Sequence, residues 1–312
     1  MKIKIASRES RLAMWQAEHV RDRLLGLPGV TAVEIVGMTT MGDQILDRSL
    51  AKIGGKGLFI KELEYALLEG RADLAVHSGK DIPMDVDPQF DLLGFMTRED
   101  PHDAFVSNEY SSLAELPAGA VVGSSSLRRQ AQVLAKYPHL QVKPLRGNLD
   151  TRLSKLDAGH FQAIVLAAAG LKRLNMHHRI RTLVPSSDML PAVGQGALGL
   201  EIRKGDEALA SVCSALIDPV CTQLVSAERA VSKALGGSCQ VPIAGYATLN
   251  DPSNFTLRAL VASPNGQKVI AASETGALQD WAGVAEAVIK NLCNAGAQAL
   301  IAQAVSDFAQ QP

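Results

Sequence analysis

Along the first two-thirds of the chain the apolar positions switch between a spacing of two and a spacing of three to four, the pattern of short strands alternating with amphipathic helices. Residues 2–6 alternate as a strand. Ser10 then stands where it can cap a helix whose apolar positions Ala13, Ala17, Val20 and Leu24 share one face. A strand over 31–39, a helix over 58–69 closed by Gly70, and a strand over 73–77 continue the series. After Arg98-Glu99-Asp100-Pro101 the pattern restarts, with strands over 120–123, 141–145 and 162–166 and helices over 126–137 and 149–156. Two successive strand–helix–strand runs predict two α/β domains with mostly parallel sheets.

The segment Pro191-Ala192-Val193-Gly194-Gln195-Gly196 precedes a further strand over 197–202 and reads as the chain crossing back to the first domain. With the passage near Pro101 it makes a double-crossing hinge, as in periplasmic binding proteins. Beyond Pro219 the character changes. A helix over 220–235 is followed by strands over 241–249, 255–262 and 268–272 that suit an antiparallel sheet, and then by one long helix over 281–304. The expected architecture is two periplasmic-binding-protein-like α/β domains, 1–98 with 195–217 and 99–194, plus a small C-terminal α+β domain over 218–312.

Composition adds bounds. At 312 residues the chain is too long for one core. With 47% hydrophobic and 20% charged residues it is an ordinary globular sequence, and a net charge of −1 gives no general pull toward nucleic acid or a membrane surface. The four cysteines, Cys213, Cys221, Cys239 and Cys293, show neither a CxxC pair nor zinc-ligand spacing, which suits a reducing compartment and predicts no metal. The first ten residues lack an apolar signal region, and the longest apolar run, 163–171, is too short to span a bilayer. A cytoplasmic protein is expected, and a monomer, since no coiled coil or dimer stripe is evident.

Charge matters through its distribution. Between 128 and 155 stand seven basic residues, Arg128, Arg129, Lys136, Lys143, Arg146, Arg152 and Lys155, against the single acid Asp150. Lys136 and Lys143 read as a solvated face. The four arginines stand at strand-to-helix junctions, in Ser124-Ser125-Ser126-Leu127-Arg128-Arg129 and in Leu145-Arg146-Gly147-Asn148-Leu149-Asp150-Thr151-Arg152. Ligands of open α/β sheets bind at the carboxyl ends of the strands, where helix N-termini offer free N–H groups to anions. Guanidinium groups add paired bonds to carboxylates or phosphates. This edge therefore reads as built for a ligand with several anionic groups. Only Tyr137 interrupts the basic stretch, so the interleaved aromatics of a single-strand nucleic-acid platform are missing.

Three loops complete the candidate chemistry. Val76-His77-Ser78-Gly79-Lys80-Asp81-Ile82-Pro83 places Asp81 at a strand's end, either as an Asx-turn residue or as a carboxylate that stabilises a developing cation or moves a proton. Lys52-Ile53-Gly54-Gly55-Lys56-Gly57-Leu58-Phe59 lacks the P-loop spacing and reads as a mobile loop whose lysines close over an anion. Cys239 follows Gly236-Gly237-Ser238 and is either a small buried hydrophobe or a nucleophile or covalent anchor. These residues leave two functions open, an enzyme acting on a polyanionic substrate and a non-enzymatic binder of an oxyanion or dicarboxylate.

Eight segments, in order and through nearly the whole chain, resemble the porphobilinogen deaminase (hydroxymethylbilane synthase) family. They are Ala6-Ser7-Arg8-Glu9-Ser10, Gly54-Gly55-Lys56-Gly57-Leu58-Phe59, His77-Ser78-x-Lys80-Asp81-x-Pro83, Ser125-Ser126-Leu127-Arg128-Arg129-Gln130, Leu145-Arg146-Gly147-Asn148, Thr151-Arg152-Leu153, Pro191-Ala192-Val193-Gly194-Gln195-Gly196 and the Cys239 turn. The resemblance implies stepwise condensation of four porphobilinogen molecules into hydroxymethylbilane with release of ammonia, in tetrapyrrole and haem biosynthesis. It implies a dipyrromethane cofactor held by a thioether to Cys239, with Asp81 as the catalytic carboxylate. Ser10, Lys80, Ser126, Arg128, Arg129 and Arg152 would hold the cofactor's acetate and propionate groups. Arg8, Arg146, Arg173 and Gln195 would serve the substrate, the growing chain or the hinge, and Lys52, Lys56 and Phe59 the covering loop. Three positions depart from the family's pattern: Gly79 stands where Met or Leu is usual, Arg11 where proline is common, and Ser238 where glycine is common. Gly79 implies a looser loop around Asp81.

Overall fold

The structure is a computed structural model that describes residues 1–41, 60–237 and 241–309. The chain divides into two compact units, Met1–Glu99 with Ala197–Thr222, and Asp100–Gly196 with Gln223–Pro312. The first stretch carries β1 (Lys2–Arg8), α1 (Arg11–Leu25), β2 (Ala32–Met38), α2 (Lys61–Leu68), β3 (Leu74–Ser78) and β4 (Phe90–Phe95). There follow β5 (Asp103–Val106), β6 (Val121–Gly123), α3 (Leu127–Lys136), β7 (Gln141–Lys143), α4 (Leu149–Asp157), β8 (Ala163–Ala167), α5 (Ala168–Arg173) and β9 (Thr182–Val184). Then come β10 (Leu198–Arg203), α6 (Glu207–Ser214), α7 (Pro219–Ala234), β11 (Ile243–Leu249), β12 (Asn254–Ala262), β13 (Val269–Ala277), α8 (Trp281–Asn294) and α9 (Ala297–Ala309). Among the described residues no single helix is long and apolar enough to cross a membrane.

The sheet of the first unit has the order β2-β1-β3-β10-β4, and that of the second β7-β6-β8-β5-β9. In each, the first three strands are parallel and the fourth runs against both of its neighbours. That reversed strand is in each case the first one after the chain passes from one unit to the other: β10 follows the passage at 196/197, and β5 the passage at 99/100. The sheets are mostly parallel, as the alternating pattern predicts, and each takes its antiparallel member from a crossing.

Both sheets are covered on both faces. In β8, Ala163 and Val165 join Phe105, Val122 and Val133 of α3 on one face. Ile164 and Leu166 join Ala104, Leu153 and Leu156 of α4 and Leu171 of α5 on the other. In the first unit Ile3, Ile5, Leu74 and Val76 pack with Ala17, Val20 and Leu24 of α1, while Ala6 and Ala75 pack with Leu63 and Leu67 of α2. Such two-faced burial gives nearly continuous apolar runs in the strands.

The C-terminal strands form the antiparallel sheet β11-β12-β13. Its residues Ala244, Leu260 and Ala262 pack against Ala131 of α3. The helix expected over 281–304 is two helices, broken at Gly296, which takes a φ of +91° and so leaves the helical region. The pattern does not predict strands β4, β5 and β9 or helices α5 and α6, short segments of three to eight residues with no complete apolar period to read.

Candidate functional site

In the first unit the chemistry sits at the carboxyl ends of β1 and β3. Asp81 closes a 3-10 turn, Gly79–Asp81, that leaves β3 directly. Three contacts hold this turn from behind. The Gly79 N–H donates to the Ala197 carbonyl at 2.8 Å, and Gln16 Nε2 on α1 donates to Ser78 Oγ at 3.0 Å. His77 Nε2 and Glu201 Oε2 lie 2.8 Å apart, both buried. Gly79 is itself buried, so the turn's backbone is tied down where its side chain gives nothing. The Asp81 side chain is half-buried and makes no hydrogen bond or ion pair among the described residues; the Asx-turn alternative is not realised. Arg8 ends β1 and Lys80 lies in the turn, both half-buried. Ser10 caps α1 by accepting the Ala13 N–H at 3.4 Å.

In the second unit the basic residues gather at the ends of β6, β7 and β8. Ser126 caps α3 by accepting the Arg129 N–H at 3.4 Å. Ser125 Oγ donates to the Leu145 carbonyl at 2.8 Å and accepts the Leu145 N–H at 3.0 Å, which ties the loop after β6 to the loop after β7. Arg128 and Arg129, in the first turn of α3, are only 6% exposed and turn onto one acid, Asp103 at the start of β5. Arg128 Nη1 lies 2.7 Å from Asp103 Oδ2, and Arg129 Nε and Nη2 lie 2.9 and 2.7 Å from Oδ1. Arg128 also donates to the Leu190 carbonyl and Arg129 to that of Val165. Burial alone would raise the Asp103 carboxyl, but the two guanidinium groups hold it well below the usual carboxylate range. Burial, with the charge of Arg128, lowers Arg129 from its ordinary value against the pull of Asp103.

Two guanidinium groups against one carboxylate leave a surplus positive charge in a buried place. Arg128 Nε is buried there without a hydrogen-bond partner among the described residues. Such a group waits for an acceptor.

Arg152 and Lys155 are anchored on the loop after β7, in which Arg146 is half-buried. Arg152 Nε donates to the Gly147 carbonyl at 2.8 Å, and Lys155 Nζ to that of Arg146 at 3.1 Å. Gly147 takes φ +111°, and a Cβ there would lie 2.6 Å from Thr151 Cγ2, so this junction requires glycine. Buried Arg173, at the end of α5, donates to the Gly196 carbonyl at 2.7 Å. Gln195 Nε2 donates to the Pro101 carbonyl at 2.7 Å and to Asp103 Oδ1 at 3.0 Å. The Gly194 N–H donates to Glu228 of α7 at 2.7 Å. Gln195 thus joins the two crossing segments to each other and to the arginine cluster.

Cys239, Lys52, Lys56 and Phe59 lie outside the described residues. The approach to Cys239 is described. Gly236 at φ +80° follows α7, with its N–H on the Lys233 carbonyl at 3.0 Å and that of Gly237 on Ser232 at 2.8 Å. This is the paired closure that left-handed glycine gives a helix end. Cys213 and Cys221 are buried, and burial pushes the Cys213 thiol up to about 12. Asp103 and Glu228 were missed in the sequence; the arginines on Asp103 stand 25 and 26 residues away, and the Gly194 and Ala247 N–H groups on Glu228 stand 34 and 19 residues away, so these contacts leave no local spacing to read.

A family model described as "Porphobilinogen deaminase, dipyromethane cofactor binding domain" matches residues 3–211, and "Porphobilinogen deaminase, C-terminal domain" matches residues 222–294. The chain is 56% identical over 302 residues to porphobilinogen deaminase of Bordetella parapertussis, covering 97% of this chain and 96% of that one. It is 57% identical over 306 residues to porphobilinogen deaminase of Chromobacterium violaceum, covering 98% and 99%. Among solved structures, a periplasmic domain of Bordetella pertussis BvgS aligns with a TM-score of 0.42 and 16% identity, over 68% of this chain and 84% of that one. That likeness is too distant to bear on function.

Proposed function

The chain belongs to the porphobilinogen deaminase family, and from that membership we propose which of its residues carry the reaction. The enzyme is a transferase of tetrapyrrole biosynthesis that joins porphobilinogen units into hydroxymethylbilane with release of ammonia. Its substrate carries an acetate and a propionate on each pyrrole, so every unit added brings carboxylates that need cationic partners.

The observation that carries the assignment is the cluster of Arg128, Arg129 and Asp103. A buried set with surplus positive charge and an unpartnered N–H fits a group that bears carboxylates. We assign Arg128 and Arg129, with Arg152 and Ser126, to the carboxylates of the dipyrromethane, and Ser10 and Lys80 to the same group. When bound, the dipyrromethane supplies the primer to which pyrrole units are added. Cys239 is the residue we assign to its thioether.

Asp81 is fixed at its backbone while its carboxylate stays without a partner among the described residues, and this suits a group that acts on the substrate. The carboxylate stabilises positive charge that develops on the substrate pyrrole as ammonia leaves, and it takes up the proton released when the new carbon–carbon bond forms. Arg8, Arg146 and Arg173 bind carboxylates of the incoming unit or the growing chain. Gln195 holds the crossing segments, and to Lys52, Lys56 and Phe59, outside the described residues, we assign the covering role that family membership implies. Exposed large apolar side chains, such as Leu25, Leu68, Leu183 and Leu249, are scattered over different elements. This supports a monomer; we place it in the cytoplasm, with no nucleic-acid or membrane partner.

The test is the intact mass of protein purified from a host that makes tetrapyrroles. The wild type carries a dipyrromethane-sized increment and consumes porphobilinogen, and Cys239→Ser lacks both. A wild type with neither the increment nor activity overturns the reading.

A further inference from the structure

Asp103 receives more side-chain hydrogen bonds than any resemblance assigns it a reason for. Its carboxylate is fully buried and accepts from Arg128 Nη1 and Nη2, Arg129 Nε and Nη2, and Gln195 Nε2, at 2.7 to 3.2 Å. A buried ion pair kept for stability alone is a poor bargain, since apolar replacements often do as well. Here one acid is set against two cations. Left to themselves, two neighbouring guanidinium groups repel and splay apart. Shared by Asp103, they are held side by side with a net positive charge still on offer, and Arg128 Nε remains unpartnered among the described residues. The same Oδ1 that takes two bonds from Arg129 also takes the bond from Gln195, which reaches Pro101 in the other crossing segment.

We propose that Asp103 is a positioning residue for the cofactor. It fixes Arg128 and Arg129 in the orientation in which they take dipyrromethane carboxylates, and through Gln195 it registers both crossing segments against that pair. The proposal rests on the assignment of Arg128 and Arg129 to the cofactor. Asp103 itself touches neither cofactor nor substrate and acts by pre-ordering the groups that do.

The experiment compares intact masses of wild type and Asp103→Asn made in a tetrapyrrole-producing host, with circular dichroism to establish that each is folded. The amide keeps the shape and removes the charge. Folded Asp103→Asn is expected to carry the cofactor at a fraction lower by about tenfold or more. Wild-type loading in this variant overturns the proposal, because a merely structural acid would lower thermal stability and leave the increment in place. If Asp103→Asn does not fold, Asp103→Ala is produced and loaded with and without formate, a carboxylate small enough for the vacated space. Loading that depends on formate supports the proposal, and loading without it overturns it. Failure of both variants to fold even in formate also overturns it, assigning Asp103 to the core alone. A wild type without the increment would instead contradict the reading of Arg128, Arg129 and Cys239, so the two failures are distinct.

Discussion

Two aspartates at strand ends do opposite things here. Asp81 sits in a turn whose backbone is anchored and whose carboxylate has no partner among the described residues, whereas Asp103 is enclosed by two arginines and a glutamine. The first was legible in the sequence because strand-end placement beside Lys80 is a local pattern. The second was not, because Arg128 and Arg129 stand 25 and 26 residues away and meet it only when β5 pairs with β8. Asp81→Ala is expected to keep the fold and the mass increment and to lose turnover by about a thousandfold, the scale of removing a preorganised charge; an assay of porphobilinogen consumption checks it, and near-normal turnover removes Asp81 from the mechanism. The thiols differ as sharply. Cys213 is buried with its thiol pushed up to about 12, so at pH 8 it stays protonated and is expected to resist iodoacetamide in the folded protein. Peptide mapping after alkylation reads this directly.

At the scale of elements, the sequence located the strand–helix junctions well because caps and glycines punctuate them. Ser10 and Ser126 both cap the helices they were expected to open. Ser126→Ala is expected to cost about 1 kcal/mol in urea unfolding from the lost cap, before any effect on the cofactor. The two-residue break before α9 was less visible, since the apolar face continues across Gly296 and only its positive φ separates the helices. Packing between elements was not legible at all. Gly266, in the turn between β12 and β13, has φ +72°, and a Cβ there would lie 2.4 Å from the Ala135 nitrogen of α3. Because the clash is with backbone, Gly266→Ala is expected to destabilise by about 2 kcal/mol or more, read from the urea midpoint.

For the molecule as a whole, alternating periods gave both α/β sheets and the late antiparallel sheet. They could not give the reversed strands β5 and β10, which are set by where the chain passes from one unit to the other. Those passages also decide the acid response. Asp103 is held below the unfolded carboxyl value of about 3.9. Its contribution to stability is therefore fully present above that value and lost as pH falls toward the folded one. Asp100, lowered against its burial by Lys172 and His102, adds in the same direction. Glu64, raised by burial and by Glu201, has the opposite sign and costs stability above its unfolded value. Thermal unfolding is expected to weaken steadily below about pH 4, and less steeply in Asp103→Asn.

In the reading we propose, the pyrrole chain grows while covalently held at Cys239 and is gripped through its carboxylates by the arginines of the second unit. Intact mass spectrometry of the purified enzyme, before and during exposure to porphobilinogen, tests it most directly. The expected resting mass is already raised by the dipyrromethane, and successive increments of one pyrrole unit each follow, all absent from Cys239→Ser. Turnover of porphobilinogen by a protein whose mass never departs from that of the bare chain would contradict it.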